Sequence, residues 1–479
     1  MQKHVTIIGA GPAGLTAAYL LRKANIPVTV FETDPTYVGG LARTMVYKDY
    51  CFDIGGHRFF SKSQEIEDLW TEMLPNDMLE RPRLSRIYYR GKFFTYPLKI
   101  SEVLFKFNPL ESLYCALSYL YAKIFPIVRP ATFEDWVSNH FGYRLFSIFF
   151  KTYTEKVWGM SCKVISADWA AQRIQGLSLF STLLKACLPK IKSRKRKKIV
   201  KSLIDTFRYP RKGPGMLWEA CADKIRNMDG TIIMGTQVES AAYHALDKQW
   251  QVQYRNQQNE LQTILSTHVL SSAPLQTLAN SYLQPALSKT TQEAARRLQY
   301  RDFLIVILIL KDKNKLRDNW IYIHDPSVDV ARIQNFKSWS PEMIPDPTMC
   351  CYGMEYFCFK NDALWSSADD ILILKATQEL AKIGLIKIDE VLDGCVIRQP
   401  KAYPVYNDDY KENVLRIREE LEEKYPNLQL IGRNGMHKYN NQDHAMMTAS
   451  LAVKNILADE TRFNVWQVNQ DAEYIESTC

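Results

Sequence analysis

The sequence predicts an α/β protein in which a discontinuous Rossmann-like dinucleotide-binding domain carries an inserted domain of helices and an antiparallel sheet. Three observations predict it. The chain opens with a β-branched run, a G-x-G-x-x-G turn, a helix and a second strand that ends in an acid. Two apolar runs, FLIVILIL (303–310) and NWIYIH (319–324), read as strands of a separate sheet. A last strand and helix, LQLIG (428–432) and AMMTASLAVKNIL (445–457), enclose a polar turn rich in amides.

In the opening unit, HVTIIG (4–9) is the strand, and Gly9, Gly11 and Gly14 stand in G-x-G-x-x-G register, with Pro12 and Ala13 starting the helix. PVTVFE (27–32) is the second strand, and Glu32 follows Gly14 by 18 residues. This order and spacing specify backbone chemistry. Gly9 permits the tight turn, Gly11 lets the chain approach a pyrophosphate, and Gly14 lets helix and strand pack closely. The helix N-terminus offers free N–H groups and a positive dipole to phosphates. Glu32 accepts hydrogen bonds from ribose hydroxyls. The signature alone does not separate FAD from NAD.

Bulk properties narrow the class. With 479 residues, 46% hydrophobic and 24% charged, the chain holds more than one domain and is not disordered. Much of the net charge of +9 lies in KIKSRKRKKIVK (190–201). Such a run is a solvated face, or it meets a phosphate-rich ligand or an anionic membrane peripherally. No aromatics interleave with it, so a nucleic-acid partner is not expected. The ten Cys have no C-x-x-C or zinc spacing, which predicts no metal and fits a reducing cytoplasm. The N-terminus reads as a strand, not a signal peptide. No integral membrane segment is expected. Residues 103–128 come closest, but Lys106, Glu111, Lys123 and two Pro interrupt them.

The stretch after the acid, TDPTYVGGLAR (33–43), supplies a second glycine pair, Gly39 and Gly40, then Leu41 and Arg43. It resembles the E-x(5–7)-G-G pattern of FAD proteins of the amine oxidase, protoporphyrinogen oxidase and UDP-galactopyranose mutase group. FDIGGHRFF (52–60) matches the strand end that the group brings to the isoalloxazine, which implies Gly56 and His57 beside the flavin. Four further stretches resemble the mutase: YYRGKFFTYPLKI (88–100), FEDWVSNHFGYRLFSIFFKTYTEKVWG (133–159), VARIQNFKSW (330–339) and AYPVYNDDY (402–410). The closing GRNGMHKYNNQDHAMM (432–447) is similar to its G-R-x(4)-(K/R)-Y-x-D segment.

The resemblance implies an FAD cofactor held by Gly9, Gly11, Pro12, Ala13, Gly14, Glu32, Gly39, Gly40, Leu41, Arg43, Gly56, His57, Val238, Gly432, Arg433, Asn441, Gln442 and Asp443. Val238 would hold the adenine through its backbone. Asn441 stands where the mutase has Asp, and an amide still bonds a hydroxyl without adding charge. Tyr153, Trp158, Arg332 and Tyr439 would bind a nucleotide sugar, and His57, Arg332 and Tyr439 are the catalytic candidates. The bland alternative for the aromatics of 133–159 is a helix core. The implied reaction interconverts pyranose and furanose forms through N5 of the reduced flavin, with NAD(P)H as a candidate reductant. The alternative is an amine-oxidase-like or desaturase-like FAD oxidoreductase. By the group's order, 1–75, 205–275 and 390–465 form the FAD-binding domain, 76–204 and 276–389 the substrate domain, and 466–479 a tail. GTIIMGTQVES (230–240) reads as a hairpin.

Overall fold

A computed structural model of the chain describes residues 3–167 and 206–469, apart from 97, 99 and 408. The basic run 190–201 and residues 470–479 lie outside the described residues.

The dinucleotide-binding part is a parallel sheet of five strands collected from distant parts of the chain. Their order is Leu428–Leu430, His268–Ser271, Val5–Ile8, Val28–Phe31 and Thr231–Ile233. Every pairing is parallel. The two central strands, VTII and VTVF, are buried throughout, as a sheet covered on both faces requires. Helices Pro12–Lys23, Gly215–Asn227 and Gln442–Ala458 form one layer against it, with the first helix between the other two. A meander of Val238–His244, Gln249–Arg255 and Leu261–Ser266 extends this part.

The second part is built on a seven-stranded sheet. Its order is Val391–Pro404, Tyr300–Lys311, Met349–Cys358, Arg332–Asn335, Trp320–Ile323, Ser85–Tyr89 and Lys92–Thr95. Both apolar runs from the sequence lie in it, and Phe303–Leu310 is buried on both faces. Helices from residue 100 to residue 158 pack beside the sheet.

Two sequence expectations change. Val391–Pro404, assigned to the FAD-binding domain, runs antiparallel along Tyr300–Lys311 in the seven-stranded sheet. A strand buried on both faces needs a hydrogen-bonded partner at each edge, and this long segment supplies one of them. GTIIMGTQVES is not a hairpin. Thr231–Ile233 joins the parallel sheet and Val238–His244 joins the meander. The loop between them is tied elsewhere, since the N–H groups of Gly235 and Thr236 donate to the carbonyls of Asp34 and Glu32.

The stretch 133–159 is broken into short helices. Gly142 has φ 80°, and a Cβ there would lie 2.7 Å from the backbone N of Tyr119. The crossing of helix Pro109–Ile124 therefore forces the break. A π-turn at Ser147–Lys151 then sets the phase of helix Thr152–Trp158, which carries Tyr153.

Candidate functional site

A cleft of about 460 Å³ opens at the carboxyl ends of the parallel strands. Of the predicted cofactor residues, Gly9, Gly11, Pro12, Ala13, Glu32, Gly40, Leu41, Arg43, His57, Val238, Gly432, Arg433, Asn441 and Gln442 line it. The chain crosses the cleft floor at several glycines. Gly9 has φ 101°, and a Cβ there would lie 2.3 Å from Ser272 Oγ. Gly432, with φ 76°, approaches Ala13 so closely that an added Cβ would stand 3.0 Å from Ala13 Cβ. The helix Pro12–Lys23 begins with Gly11 as an N-cap that provides no side-chain bond, so its first N–H groups face the cleft. Glu32 accepts from the N–H of Ala10 at 2.7 Å and of Asp34 at 2.9 Å. Its carboxylate thus fixes the glycine turn as well as facing the cleft.

Gly14, Gly39, Gly56 and Asp443 are not on the cleft wall. A Cβ on Gly14 would fall 1.8 Å from Gly9 O, so this residue serves the contact between helix and turn. Gly39 has φ 98° and begins the turn that carries Gly40. Gly56 packs on Gln334 and Trp339. Asp443 is buried beside His444 in the first turn of the last helix. Asn441 caps that helix, its N–H donating to His444 Nδ1 at 3.2 Å.

Other wall residues had weaker signals. Ser272, Ala273 and Pro274 lie at the end of a strand visible in the sequence. Arg398 and Gln399 come from the strand placed in the other sheet, and no local motif marks them. Gln399 Oε1 accepts from Arg43 Nη1 at 2.8 Å, so the two sheets meet at the cleft.

The wall fits a dinucleotide. Among the described residues, buried His57 Nδ1, Asn434 Oδ1 and Gln442 Oε1 at the cleft have no hydrogen-bond partner, and Arg43 Nε has only the ion pair with Asp34 at 3.6 Å. Together with the uncapped helix end and the close glycines, they offer donors and acceptors to phosphates and hydroxyls.

A polar cluster adjoins the cleft. Arg332 Nε donates to Glu355 Oε2 at 2.7 Å, and Gln334 Nε2 donates to Glu355 Oε1 at 2.7 Å. Trp339 Nε1 in turn donates to Gln334 Oε1 at 2.9 Å. Burial is the largest single influence and opposes the charge on Arg332, but Glu355 together with Tyr153, Tyr403 and Tyr322 outweighs it and holds the guanidinium well above its ordinary pKa. Gly55 lies between Arg332 and His57, with an added Cβ 3.7 Å from Arg332 Nη2 and 3.8 Å from His57 Cε1. Desolvation, then the charges of Arg433 and Arg332, push His57 down to about 3, so its ring is neutral at physiological pH.

Arg433 is held by backbone, donating from Nε to Asn440 O at 2.9 Å and from Nη1 to Ala402 O at 3.1 Å. Its guanidinium lies over the rings of Tyr403 and Tyr439, which stack with centroids 5.6 Å apart. Arg332, Arg433, Tyr439 and Glu355 all act on the Tyr403 hydroxyl. Tyr153 stacks on His324 at 4.9 Å and meets Tyr322 edge-on at 5.4 Å. Its neighbours include Arg332. Trp158 is placed differently. It is 5% exposed, in the core formed by Phe133, Val137 and Phe146, and stacks on Tyr406 at 6.2 Å. Tyr439 packs against that core. The structure thus gives Trp158 a packing place that supports Tyr439. Tyr403 lies in the AYPVYNDDY stretch and Tyr322 in the NWIYIH strand, but no sequence feature singles out either for the site, and Glu355 has no signal, because strand pairing brings it there.

The closing turn also reaches the expected tail. Lys438 Nζ donates to Trp466 O at 3.0 Å, and Asn469 Nδ2 donates to Tyr439 O at 2.9 Å. Residues 466–469 therefore brace the site and are not merely peripheral.

His57 and two further buried histidines make stability pH-dependent. Burial, then Lys156, lowers His324 to about 3, and burial lowers His437 to about 4. Each binds a proton in the unfolded chain below its ordinary value of 6.5 but not in the folded one. Stability is therefore full above that pH and falls as the solution is acidified towards pH 4. The loss is about 1.4 kcal/mol per pH unit per group. Urea midpoints at about pH 7 and about pH 5 are expected to show this loss, and His324→Gln to reduce it.

Residues 7–73 match the family model of the NAD(P)-binding Rossmann-like domain. L-amino acid oxidase Cdc18 of Crotalus durissus cumanensis is 44% identical over 66 residues, which are 14% of this chain and 13% of that relative. The chain thus matches such relatives over only a small share of their length. The crystal structure of reduced UDP-galactopyranose mutase aligns with a TM-score of 0.81 at 18% identity, covering 98% of this chain and 97% of that one. A putrescine oxidase redesigned in cofactor binding aligns with a TM-score of 0.65 at 15% identity, covering 96% and 100%. The chain has a Rossmann-like dinucleotide-binding domain and shares its overall fold with both structures. Among the described residues no helix is long and apolar enough to cross a membrane.

Proposed function

We propose that this chain is an FAD-dependent mutase acting on a nucleotide sugar, interconverting its pyranose and furanose forms. The observation that carries this reading is the convergence of Arg332 and Arg433 on the same His57 and Tyr403 beside the cofactor cleft. Two guanidinium groups among tyrosine hydroxyls suit a diphosphate. The alignment with UDP-galactopyranose mutase over nearly the whole chain supports the same reading. Reduced FAD, when bound, supplies a nucleophilic N5 for the anomeric carbon.

The chain's own residues do the rest. Arg332, fixed by Glu355, and Arg433, fixed by backbone carbonyls, hold the diphosphate near the anomeric centre as it departs and returns. The hydroxyls of Tyr153, Tyr403 and Tyr439 stand close enough to orient sugar and phosphate oxygens. Burial keeps the Tyr153 and Tyr403 hydroxyls protonated, so they donate. Neutral His57 adds a polar group at the flavin side without a further positive charge. The packed tyrosines exclude water, which would otherwise hydrolyse the activated sugar.

A second reading, an FAD oxidoreductase, is favoured by the oxidase relatives that match a small part of the chain. Dithionite-reduced protein incubated with UDP-galactose separates the two. Formation of the furanose isomer with no net change in flavin redox state is the expected result. Flavin reduction coupled to stoichiometric substrate oxidation in a parallel incubation of the oxidised protein, with no isomer formed by the reduced protein, would replace the mutase by the oxidoreductase. NAD(P)H in place of dithionite tests the reductant.

A further inference from the structure

Lys156 lies one helical turn after Tyr153, so both side chains leave helix Thr152–Trp158 on one face. Its ammonium has three protons to donate, and three backbone carbonyls take them: Asp325 O at 2.6 Å, Val330 O at 3.2 Å and Ile323 O at 3.3 Å. These carbonyls belong to the connection between the paired strands Trp320–Ile323 and Arg332–Asn335 or to its first anchoring residue. Ile323 and Asp325 flank His324, the ring on which Tyr153 stacks. Val330 stands two residues before Arg332. One side chain thus ties the helix of Tyr153 to the strand that carries Arg332.

The connection is gripped from a second side by an anion. Glu379 accepts from the N–H groups of Asp329 at 3.0 Å and Val330 at 2.9 Å. The acids around Lys156 are Glu379, Asp325 and Asp329, and each is engaged elsewhere. Asp325 accepts from the N–H groups of Arg90 and Ser327, both at 2.9 Å, and Asp329 pairs with Lys375 at 2.6 Å. Burial lowers Lys156 to about 8, opposed by these three acids, so the amine is mostly charged at neutral pH. Its charge, after burial, helps to keep the His324 ring neutral where Tyr153 stacks on it. A lysine that served a diphosphate directly would keep a donor free for it. Lys156 spends all three on backbone.

We propose that Lys156 is a positioning residue, which locks the connection 324–331 against the helix of Tyr153 and so fixes Tyr153 relative to Arg332. The inference rests on the reading that Tyr153 and Arg332 hold the diphosphate of the substrate. Loss of the ammonium strips three carbonyls of their donor at once and leaves the connection to Glu379. Small displacements of groups that orient a substrate have large effects on its binding and reaction.

Calorimetric titration of the FAD-loaded protein with UDP tests it. The wild type is expected to bind UDP and Arg332→Met to lose it. Lys156→Met is expected to weaken UDP about tenfold while the flavin content is unchanged. Lys156→Arg is expected to restore affinity to within about threefold, because a guanidinium again supplies donors to the carbonyls, whereas a side chain that only filled space would need no donor. Should Lys156→Met fold poorly, Glu379→Gln reaches the same connection from the other side, and it is expected to weaken UDP about threefold with the flavin retained. Wild-type UDP affinity in Lys156→Met or in Glu379→Gln, or an Arg variant no better than the Met variant, overturns the inference and leaves the mutase reading standing. A wild type that does not bind UDP, or Arg332→Met that binds it as the wild type does, removes the mutase reading and this inference with it.

Discussion

Gly11→Ala is expected to fold and yet fail to hold FAD, whereas Gly14→Ala is expected to fail at folding. The two glycines are three positions apart in one motif, but they meet different surroundings. A Cβ on Gly11 finds only Gly40 Cα, at 3.8 Å, which is ordinary contact. It would project where a pyrophosphate must approach, so affinity should fall about a hundredfold while stability stays near the wild type, a change of ~2.7 kcal/mol in binding. A Cβ on Gly14 would overlap Gly9 O at 1.8 Å and meet Ile7 Cγ2 at 3.3 Å. Helix and turn must then separate, at a cost on the order of 3 kcal/mol or more. Urea unfolding together with flavin absorbance of the purified proteins distinguishes the outcomes. Equal loss of stability in both variants would contradict the assignment of phosphate approach to Gly11.

Arg332→Met is expected to abolish turnover and, separately, to destabilise the protein by about 3–5 kcal/mol, because it leaves a buried carboxylate without its cation. Glu355 is fully buried, and Gln334 alone would remain to satisfy it. Adding Glu355→Leu to Arg332→Met removes the stranded charge, so the double variant should regain most of the stability and none of the activity. The Gln334 amide left without an acceptor keeps the recovery short of complete, by about 1 kcal/mol. A double variant no more stable than Arg332→Met would show that the pair contributes little to folding. Retained turnover in Arg332→Met would remove this residue from the diphosphate site.

These contrasts show what was legible in the sequence. The glycine turn and Glu32 were legible because their chemistry is carried by backbone and by local order. His57 and Arg433 were placed by motif, and the structure sets them on one cleft wall. Arg398 and Gln399 were not legible, since their position follows from pairing Val391–Pro404 with Tyr300–Lys311, a contact between segments far apart in sequence. The same holds for Glu355, whose place beside Arg332 is set by strand register. Trp158 shows the opposite limit. Its aromatic and basic neighbourhood resembled a binding surface, but helical phase turned it into a packed core. Gly142 and the π-turn decide that phase, and neither was predicted from local pattern.

The parallel sheet has one more consequence, for the order in which the protein is made. The two glycines that both come close to Ser272 at the cleft, Gly9 and Gly432, lie more than four hundred residues apart in the chain. The edge strand Leu428–Leu430 and the helix after it are translated after the other strands of the sheet, and the first helix packs directly on that helix. During synthesis the N-terminal strand, turn and helix therefore emerge with their cofactor wall incomplete. They wait until residues 428–458 have been made before the sheet and its helix layer close. Closure of a complete dinucleotide wall is thus a late event in such a topology.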